Sequence, residues 1–193
     1  MARGISEFKT KLINGGARPN LFLVRLNFPT TLNQIADISP IDSSASITER
    51  AEFLVKTAQL PASTIGTIDV PFRGRMLKVA GDRTFEPWTV TVINTEEFGV
   101  RNSLEQWMNA INQHNLNTQQ FASNSLAAYK SNAFVEHYGK DGQGSIIARY
   151  EFRGLFPTEL GAVELSWDAN DQLEEFTATF AYDYWQHDNV VTS

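Results

Sequence analysis

Apolar and polar residues alternate in several runs of the chain, which is typical of β-strands whose two faces meet different surroundings. In the clearest run, residues 88–93, Thr89, Thr91 and Ile93 alternate with apolar residues at the even positions. The same period of two predicts further strands at 21–28, 51–58, 64–72, 76–80, 133–138, 145–153, 163–167 and 173–185. The pattern therefore predicts a mainly β protein.

A helical period appears in one long segment, from about residue 95 to residue 113. Asn94 is the expected N-cap, and Glu97 three residues later completes a variant of the capping box. Apolar residues spaced i, i+4, i+7, i+8 and i+11 form a stripe typical of a core-facing helix: Val100, Leu104, Trp107, Met108 and Ile111. A shorter amphipathic pattern at 5–13 indicates a short helix. We expect a β-sandwich or partly closed barrel of two sheets with one flanking α-helix.

We interpret residues 1–193 as a single domain with two elaborations. Residues 29–50 combine turn-forming residues without a clear period, and we expect a long surface loop there. Residues 64–80 are expected to form an extended hairpin arm, with its tip at Gly74 and apolar side chains on more than one face. An exposed strand pair of this kind is an aggregation hazard unless a partner covers it.

Charge is distributed unevenly along the chain, whose net formal charge is −6. This acidic balance argues against a surface that grips phosphates. From Gly154 onwards there are eight acidic residues and no lysine or arginine, whereas residues 71–83 hold four basic residues against Asp82 alone. Two interpretations remain open at this point. In the first, the charges are ordinary solvated groups. In the second, a basic edge of one copy of the chain meets an acidic edge of the next copy.

Local patterns for catalysis or metal binding are missing from the sequence. There is no cysteine, and the three histidines are scattered without a zinc-ligand spacing. Residues 168–172 imitate the start of a calcium loop, but Leu173 stands where that loop requires glycine. We therefore expect no catalytic residue, no metal, no cofactor and no enzyme activity. The longest aliphatic run, Leu21–Val24, is too short to cross a bilayer, so we expect no membrane binding by the monomer.

Three runs of residues resemble one known family. Residues 79–94 resemble the signature of the tail tube proteins of contractile-tailed bacteriophages of the T-even type. Residues 17–22, Ala-Arg-Pro-Asn-Leu-Phe, and residues 154–158, Gly-Leu-Phe-Pro-Thr, match the same family in the same order. Further matches follow the last run: Gly161, Leu165–Asp168, Asn170, Phe176 and Tyr182–Trp185. The similarity spans roughly residues 17 to 185, although the family commonly has a shorter connection at 29–50.

The resemblance implies a structural virion protein rather than an enzyme. The fold would be tail-tube-like, with subunits joined into hexameric rings whose sheets merge into one continuous barrel around a lumen. Rings would stack head to tail into the inner tube of a contractile tail, and double-stranded DNA would pass through it without specific binding during ejection. The implied partners are further copies of the chain, the sheath protein, and the baseplate and tail-terminator proteins. The implied location is the virion tail, assembled in the cytoplasm of the host bacterium.

Two sets of residues are candidates for assembly roles. Because the corresponding region of the family reaches towards the next ring, the resemblance implies ring-stacking contacts for the tip of the arm: Phe72, Arg73, Gly74, Arg75 and Met76. Threonine-rich second faces, at positions 89, 91, 177 and 179, suit strands that line a wet lumen. Three carboxylates are candidates for this lumen, although each is equally well an ordinary exposed strand residue: Glu151, Glu175 and Asp183.

Two other functions stay open at this point. The tube of a related contractile machine, such as a type VI secretion system, a pyocin or an extracellular toxin-delivery particle, would share the fold but carry protein cargo. A monomeric β-rich binding module, for example for carbohydrate, would stack its ligand on some of the four tryptophans. Trp88 and Trp107 are already expected in the core, which weakens this second alternative.

Overall fold

Strands make up most of the regular secondary structure, and helices lie between some of them. A computed structural model describes residues 4–12, 15–34, 44–121, 126–140 and 144–188. The elements in these ranges are α1 (Ile5–Lys11), β1 (Phe22–Leu26), a 3₁₀ helix (Thr30–Gln34), α2 (Ser44–Leu54), β2 (Val55–Ala58), β3 (Thr64–Phe72), β4 (Arg75–Thr84), β5 (Trp88–Ile93), α3 (Gly99–Ile111), α4 (Leu126–Tyr129), β6 (Ser131–Tyr138), β7 (Ile146–Leu160), β8 (Glu175–Ala181) and β9 (Tyr184–Asp188). The prediction of a mainly β protein is confirmed.

Seven strands form one bent antiparallel sheet in the order β1-β6-β7-β8-β5-β2, and β9 also pairs with β7. The central strand β7 pairs with different strands along its length. Its first part pairs with β6 and β9, and its last part, from Phe156, pairs with β8. We call β1, β6, β9 and the first part of β7 sheet A. We call β8, β5, β2 and the last part of β7 sheet B. Among the described strands, β1 and β2 at the two ends are not hydrogen-bonded to each other, so the sheet is not a closed barrel.

The hydrophobic core lies between the inner faces of sheets A and B, where α2 and α3 also pack. Alternate residues point inward as the period of two predicts, so Val90 and Val92 are buried while the threonines beside them are partly exposed. Trp88 stacks on Phe152, with ring centroids 4.4 Å apart, and links the two sheets. An aromatic pair of this kind contributes about 1 kcal/mol beyond the area it buries.

Helix α3 packs against this core through part of the predicted stripe. Val100, Leu104 and Trp107 are buried, whereas Met108 and Ile111 are partly exposed. The indole N–H of Trp107 donates to the backbone carbonyl at position 129 over 2.8 Å. Because this donor is satisfied, the buried indole brings large apolar area into the core without an unpaired polar group.

The predicted start of α3 is wrong. The helix begins at Gly99, with Phe98 in the N-cap position and a left-handed φ of 52°. The side-chain amide of Asn94 donates instead to the Glu174 carboxylate at 2.6 Å. Glu97 forms an ion pair of 2.5 Å with an arginine of α2. Both residues of the expected capping box are therefore held by partners that are distant in the sequence.

Residues 29–50 do not form one continuous surface loop, so this prediction is wrong for the parts that the structure describes. A 3₁₀ helix occupies Thr30–Gln34, and α2 begins at Ser44. The rest of the predicted loop, residues 35–43, lies outside the described residues. The sequence suggested a loop because this segment is rich in turn-forming residues and lacks an apolar period. Serine, threonine and aspartate side chains can hydrogen-bond to the nearby backbone and so compete with helix formation.

Helix α2 also replaces the first half of the strand predicted at 51–58, of which only Val55–Ala58 is a strand. Ile47, Ala51 and Val55 are buried at a spacing of four residues, and α2 packs against β1. The charged and hydroxyl residues between these three positions concealed the helical period. The fold therefore has more than the one flanking α-helix that the sequence predicted.

Three strand boundaries near the end of the described chain differ from the prediction. Pro157 does not end β7, which continues to Leu160. The hydrogen-bond ladder between β7 and β8 shifts register just after Pro157, and such an irregularity tolerates the missing N–H of proline. The strand predicted at 163–167 is absent, and residues 161–174 form an irregular loop. The strand predicted at 173–185 is two strands, β8 and β9, which pair with different parts of β7.

Gly154 lies at the bend of β7, where the strand leaves β9 and joins β8. Its φ is +68°, in the left-handed region that favours glycine. An added Cβ would lie 2.1 Å from a carboxylate oxygen of Asp183. That carboxylate accepts a hydrogen bond of 2.6 Å from Lys130 Nζ, and the backbone N–H of Asp183 donates to the carbonyl of Arg153 at 2.9 Å. The corner between the two sheets is therefore closely packed around a glycine.

Replacing Gly154 with alanine is expected to lower the free energy of unfolding by about 1–3 kcal/mol, because alanine adds backbone strain and crowds Asp183. Urea denaturation of the dilute subunit, followed by circular dichroism, measures this change. Gly144→Ala is the matched control, because Gly144 has a φ of +71° but no atom within 4 Å of the added Cβ. Equal losses in the two variants would contradict the crowding at this corner.

Candidate assembly surfaces

Strands β3 and β4 form a separate two-stranded sheet, which we call the arm (Thr64–Thr84). Almost every residue of the arm is exposed. The arm continues sheet B in the sequence, since β2 leads into β3 and β4 leads into β5. The nine residues of β3 span about 30 Å at ~3.3 Å per residue. An isolated two-stranded ribbon is marginally stable in water, so a partner that covers the arm would stabilise it.

One face of the arm carries two apolar cross-strand pairs, and its only charged position beside them is Arg75, which pairs with Phe72 at the tip. Directly opposed residues of an antiparallel pair project to the same face, and the pairs Ile68–Val79 and Val70–Leu77 bring four branched side chains together. Phe72 extends this row towards the tip. Each of these five side chains is between 41% and 65% exposed, and we call them the apolar face of the arm. An exposed apolar row of this length is typical of a surface that another protein covers.

The opposite face of the arm is mixed in character. It carries the pair Asp69–Lys78, whose charged atoms lie 3.3 Å apart, and the exposed side chain of Met76. Apolar side chains thus occur on both faces, as the sequence suggested. Between the tip and the base, charge lies on the mixed face, and Arg75 adds a cation beside Phe72 at the tip itself. The arm is therefore amphipathic, and its apolar face is the side suited to burial.

The tip residues chosen from the sequence lie together at the end of the arm. Phe72 and Arg75 pair across the hairpin, next to Met76, while Arg73 and Gly74 form the turn with φ values of 45° and 81°. Both values are left-handed, as a two-residue hairpin turn of type I′ requires. The guanidinium of Arg73 lies 5.5 Å from the ring centroid of Phe72. The tip presents cationic and apolar groups side by side.

Two tryptophans attach the base of the arm to the core, which no sequence pattern had indicated. The indole N–H of Trp88 donates to the carbonyl of Gln59 at 2.8 Å, and that of Trp185 donates to the carbonyl of Ala62 at 3.3 Å. Because Trp88 is itself buried between the sheets, its hydrogen bond holds the connection from β2 to the arm against the core.

The outer face of sheet B is lined with hydroxyl groups, and we call it the threonine face: Thr57, Thr89, Thr91, Thr177 and Thr179. Cross-strand hydroxyl contacts join four of these residues in two pairs, Thr57 with Thr91 at 2.8 Å and Thr89 with Thr179 at 3.1 Å. Glu175 lies at the start of β8 on the same face, where it forms an ion pair of 2.5 Å with the lysine of β2. The threonine face is therefore polar but carries little net charge.

The three carboxylates suggested for a lumen do not lie together. Glu175 is on the threonine face, whereas Asp183 lies at the corner between β8 and β9, paired with Lys130. Glu151 is buried on the outer face of sheet A, where Gln186 donates to it at 2.9 Å. The alternation within single strands was visible in the sequence, but the assignment of strands to different sheets was not.

A paired cluster of charges covers part of the outer face of sheet A. The hydroxyl of Tyr138 donates to Glu136 at 2.8 Å, and Arg149 Nε lies 3.2 Å from the other oxygen of that carboxylate. Burial, followed by the hydrogen bond and charge of Glu136, raises the pKa of Tyr138 to about 12. Beside them, the hydrogen bond from Arg25 to Glu52 raises the pKa of Arg25 and joins β1 to α2. The cluster links three strands and a helix.

Within the described ranges, no group of three or more histidine, aspartate and glutamate side chains is placed to hold a metal ion. None of the helices in these ranges is both long and apolar enough to cross a membrane.

The fold matches solved structures from contractile machines. A chain in the baseplate of the anti-feeding prophage gives a TM-score of 0.60 at 11% identity and covers 91% of this chain and 97% of that one. A chain in the sheath–tube complex of an extracellular contractile injection system, PVC, gives 0.54 at 14% identity and covers 93% and 96%. At these identities the likeness establishes the fold alone.

Comparison of the amino-acid sequence identifies the family to which the chain belongs. A family model described as phage tail tube protein matches residues 17–188. Over 171 residues, 88% of this chain and 91% of the relative, the sequence is 34% identical to the tail tube protein gp19 of Enterobacteria phage T4. The chain therefore belongs to the phage tail tube protein family, as its three motifs indicated. It is a structural component of the virion of a contractile-tailed phage and not an enzyme.

The stability of the subunit is expected to fall at alkaline pH, because unfolded Tyr138 releases its proton at pH ~10. The folded residue keeps its proton up to a pKa of about 12. The stabilising effect is therefore complete below the unfolded pKa and is lost as the pH rises through the folded pKa. Tyr138→Phe should remove this part of the pH dependence, which urea midpoints measured across this range would show.

Tyr184→Phe is the matched control for this test, because Tyr184 is an exposed tyrosine at the start of β9. This variant should keep the pH dependence of the unmodified chain. If Tyr138→Phe kept it too, the role assigned to the Tyr138–Glu136 contact would be wrong.

Proposed function

We propose that copies of this chain join into hexameric rings, which stack head to tail into the inner tube of a contractile phage tail and conduct DNA during ejection. The observation that carries this proposal is the apolar face of the arm, which is exposed in the subunit. Burial of apolar surface favours association by roughly 25 cal/mol per Å², before the entropy cost of assembly. A face of this kind, present once in every copy, favours a repeating assembly.

The free edges of the sheet support the proposal that neighbouring copies pair their strands into the continuous wall of a tube. β2 lies at one end of the sheet order, and β9 pairs with β7 along one side. Edges of this kind accept strands from another copy by β-augmentation. Because the arm continues β2 and β5, an arm that joins a neighbour carries sheet B towards the next subunit. A heterologous contact that closes gives a ring, and one that repeats along an axis gives a tube.

We assign the threonine face to the lumen, with Glu175 as the carboxylate on that face and Asp183 as a second candidate at the corner between β8 and β9. DNA binds non-specifically where lysine and arginine replace its counterions. The lysine of β2 on this face is already paired with Glu175, so it is not available to grip phosphates. Glu151 is buried in the subunit and does not present its carboxylate to solvent. A hydrated and weakly charged wall of this kind lets a duplex slide.

We infer that the tube contacts the sheath, baseplate and terminator proteins and forms in the host cytoplasm. Support for the partners comes from the fold, which recurs in a baseplate and in a sheath–tube complex. A chain without cysteine also suits assembly in a reducing compartment.

A tube that carries protein cargo in a related injection machine is the second candidate, and the likeness to the PVC chain favours it. The 34% identity to a phage tail tube protein favours DNA. A monomeric binding module that stacks sugars has less support, because Trp88 and Trp107 are buried in the core.

Negative-stain electron microscopy of the purified chain over a concentration series, with and without short preformed tube fragments as seeds, tests the proposal. Rings with an open centre, or stacks of rings that elongate from the seeds, are expected. Particles that remain single and fail to elongate the seeds at every concentration would overturn the tube assignment. Six-fold averages of the rings would check the subunit number directly.

Replacing the cross-strand pair Val70 and Leu77 with serine is expected to abolish tubes while leaving the fold of the subunit intact. The change removes apolar area from the face proposed to be buried, whereas the core between the sheets is untouched. Electron microscopy reports assembly, and circular dichroism with thermal unfolding reports the fold.

The neighbouring cross-strand pair on the opposite face provides a matched control, Asp69→Asn with Lys78→Gln. This variant should still assemble, because it changes the mixed face and exchanges an exposed ion pair worth less than about 1 kcal/mol. Equal assembly by both variants would show that the apolar face of the arm is not buried in the tube.

A further inference from the structure

We propose that the arm of one copy docks on residues 161–174 of the next copy, a segment that we call the acidic loop. This inference rests on the proposed tube and deepens it, because it names the surface that receives the arm. Three independent features of the acidic loop support it: its position in sheet B, its exposed apolar side chains, and its charge.

The arm and the acidic loop leave sheet B at opposite ends. In the β5–β8 ladder, Trp88 pairs with Phe180 at one end, and Ile93 pairs with Glu175 at the other. The arm enters β5 at the Trp88 end, while the acidic loop enters β8 at Glu175. A protrusion at one end and a receptor at the other end is the geometry of a head-to-tail contact, which repeats without closing on itself.

The acidic loop exposes large apolar side chains that its own subunit does not cover. Trp167 is fully exposed, Leu165 is 81% exposed and Leu173 is 72% exposed. Tryptophan is one of the side chains enriched in the energetic hot spots at the centres of protein interfaces. Its aromatic ring buries a large apolar area on contact. Together the three residues offer an apolar counterpart to the apolar face of the arm.

Charge complements this apolar match. The acidic loop carries four carboxylates, Glu164, Asp168, Asp171 and Glu174, and no lysine or arginine. Within the part of the chain that the structure describes, no lysine or arginine pairs with any of these four residues. The arm has the opposite balance, with Arg73 and Arg75 at the tip, a further lysine and arginine, and two aspartates.

A second exposed apolar surface lies on α1, where Ile5, Phe8 and Leu12 are exposed. This helix carries Glu7 in its first turn and Lys9 and Lys11 in its last turn, so it is basic overall. Its charge therefore has the same sign as that of the arm tip, and like charges at an interface disfavour the contact. Charge thus selects the acidic loop, and not α1, as the receptor.

Reciprocal charge reversal tests this pairing. In one variant the arm tip is reversed by Arg73→Glu with Arg75→Glu, and in the other the loop is reversed by Asp168→Lys with Asp171→Lys. Each variant alone should raise the protein concentration needed for tubes by roughly tenfold or more, because like charges then face each other in every contact. An equal mixture should restore tubes, since arms and loops of alternating copies are again opposite in charge.

The matched control is Lys9→Glu with Lys11→Glu on α1, which changes net charge by the same amount as the arm variant and should assemble normally. The proposal is overturned if either reversed variant assembles like the unmodified chain, if the mixture fails to recover, or if the α1 control is equally impaired. In these cases the unmodified chain still forms tubes, and the proposed function stands. If the unmodified chain forms no tubes and does not elongate seeds, both proposals fall.

Cross-linking gives a second measurement that does not depend on charge. The chain has no cysteine, so introduced thiols react without background. In assembled tubes, the variant Arg75→Cys with Ala169→Cys, which leaves Trp167 in place, should give a ladder of covalent oligomers with a short bis-maleimide reagent. The variant Arg75→Cys with Lys11→Cys should not. A ladder from the second variant alone would reassign the receptor to α1.

Discussion

The two sheets depend on one strand that they share. Strand β7 is 15 residues long, and its hydrogen bonds hold β6 and β9 in sheet A and β8 in sheet B. A strand that changes partners along its length must bend, and Gly154 provides the left-handed φ at that point. Trp88 and Phe152 then stack across the space that the bend encloses. The core exists because β7 brings the two inner faces together.

The exposed surfaces take their positions from this core. Trp88 and Trp185 hold the base of the arm by hydrogen bonds to backbone carbonyls, and they belong to strands of different sheets. Phe176 and the other inward residues of β8 fix the opposite end of sheet B, where the acidic loop joins β8. The separation between the arm and the loop is therefore set by the ladder between them, and a rigid sheet keeps that separation the same in every copy.

Sequence patterns correctly predicted features that depend on residues close together in the chain. The alternation at 88–93 reflects burial on one face of a single strand, and the structure shows that burial. The start of α3 depends instead on the contact between Asn94 and Glu174, 80 residues apart, which no local capping pattern contains. Glu151 and Glu175 were both candidates for the implied lumen, yet they lie on different sheets. Which sheet a strand joins depends on long-range pairing, and the motifs indicated the family without indicating that pairing.

The charges around the tip of the arm also protect the free subunit. An apolar two-stranded ribbon with open edges is the kind of segment from which cross-β fibres grow. Arg73, Arg75 and Lys78 lie in or beside that ribbon, so the arms of two free copies repel each other before their apolar faces meet. Flanking charges of this kind act as gatekeepers against aggregation. The same cations that favour an acidic receptor thus keep newly made subunits out of off-pathway fibres, and this protection weakens as salt shortens the range of the repulsion.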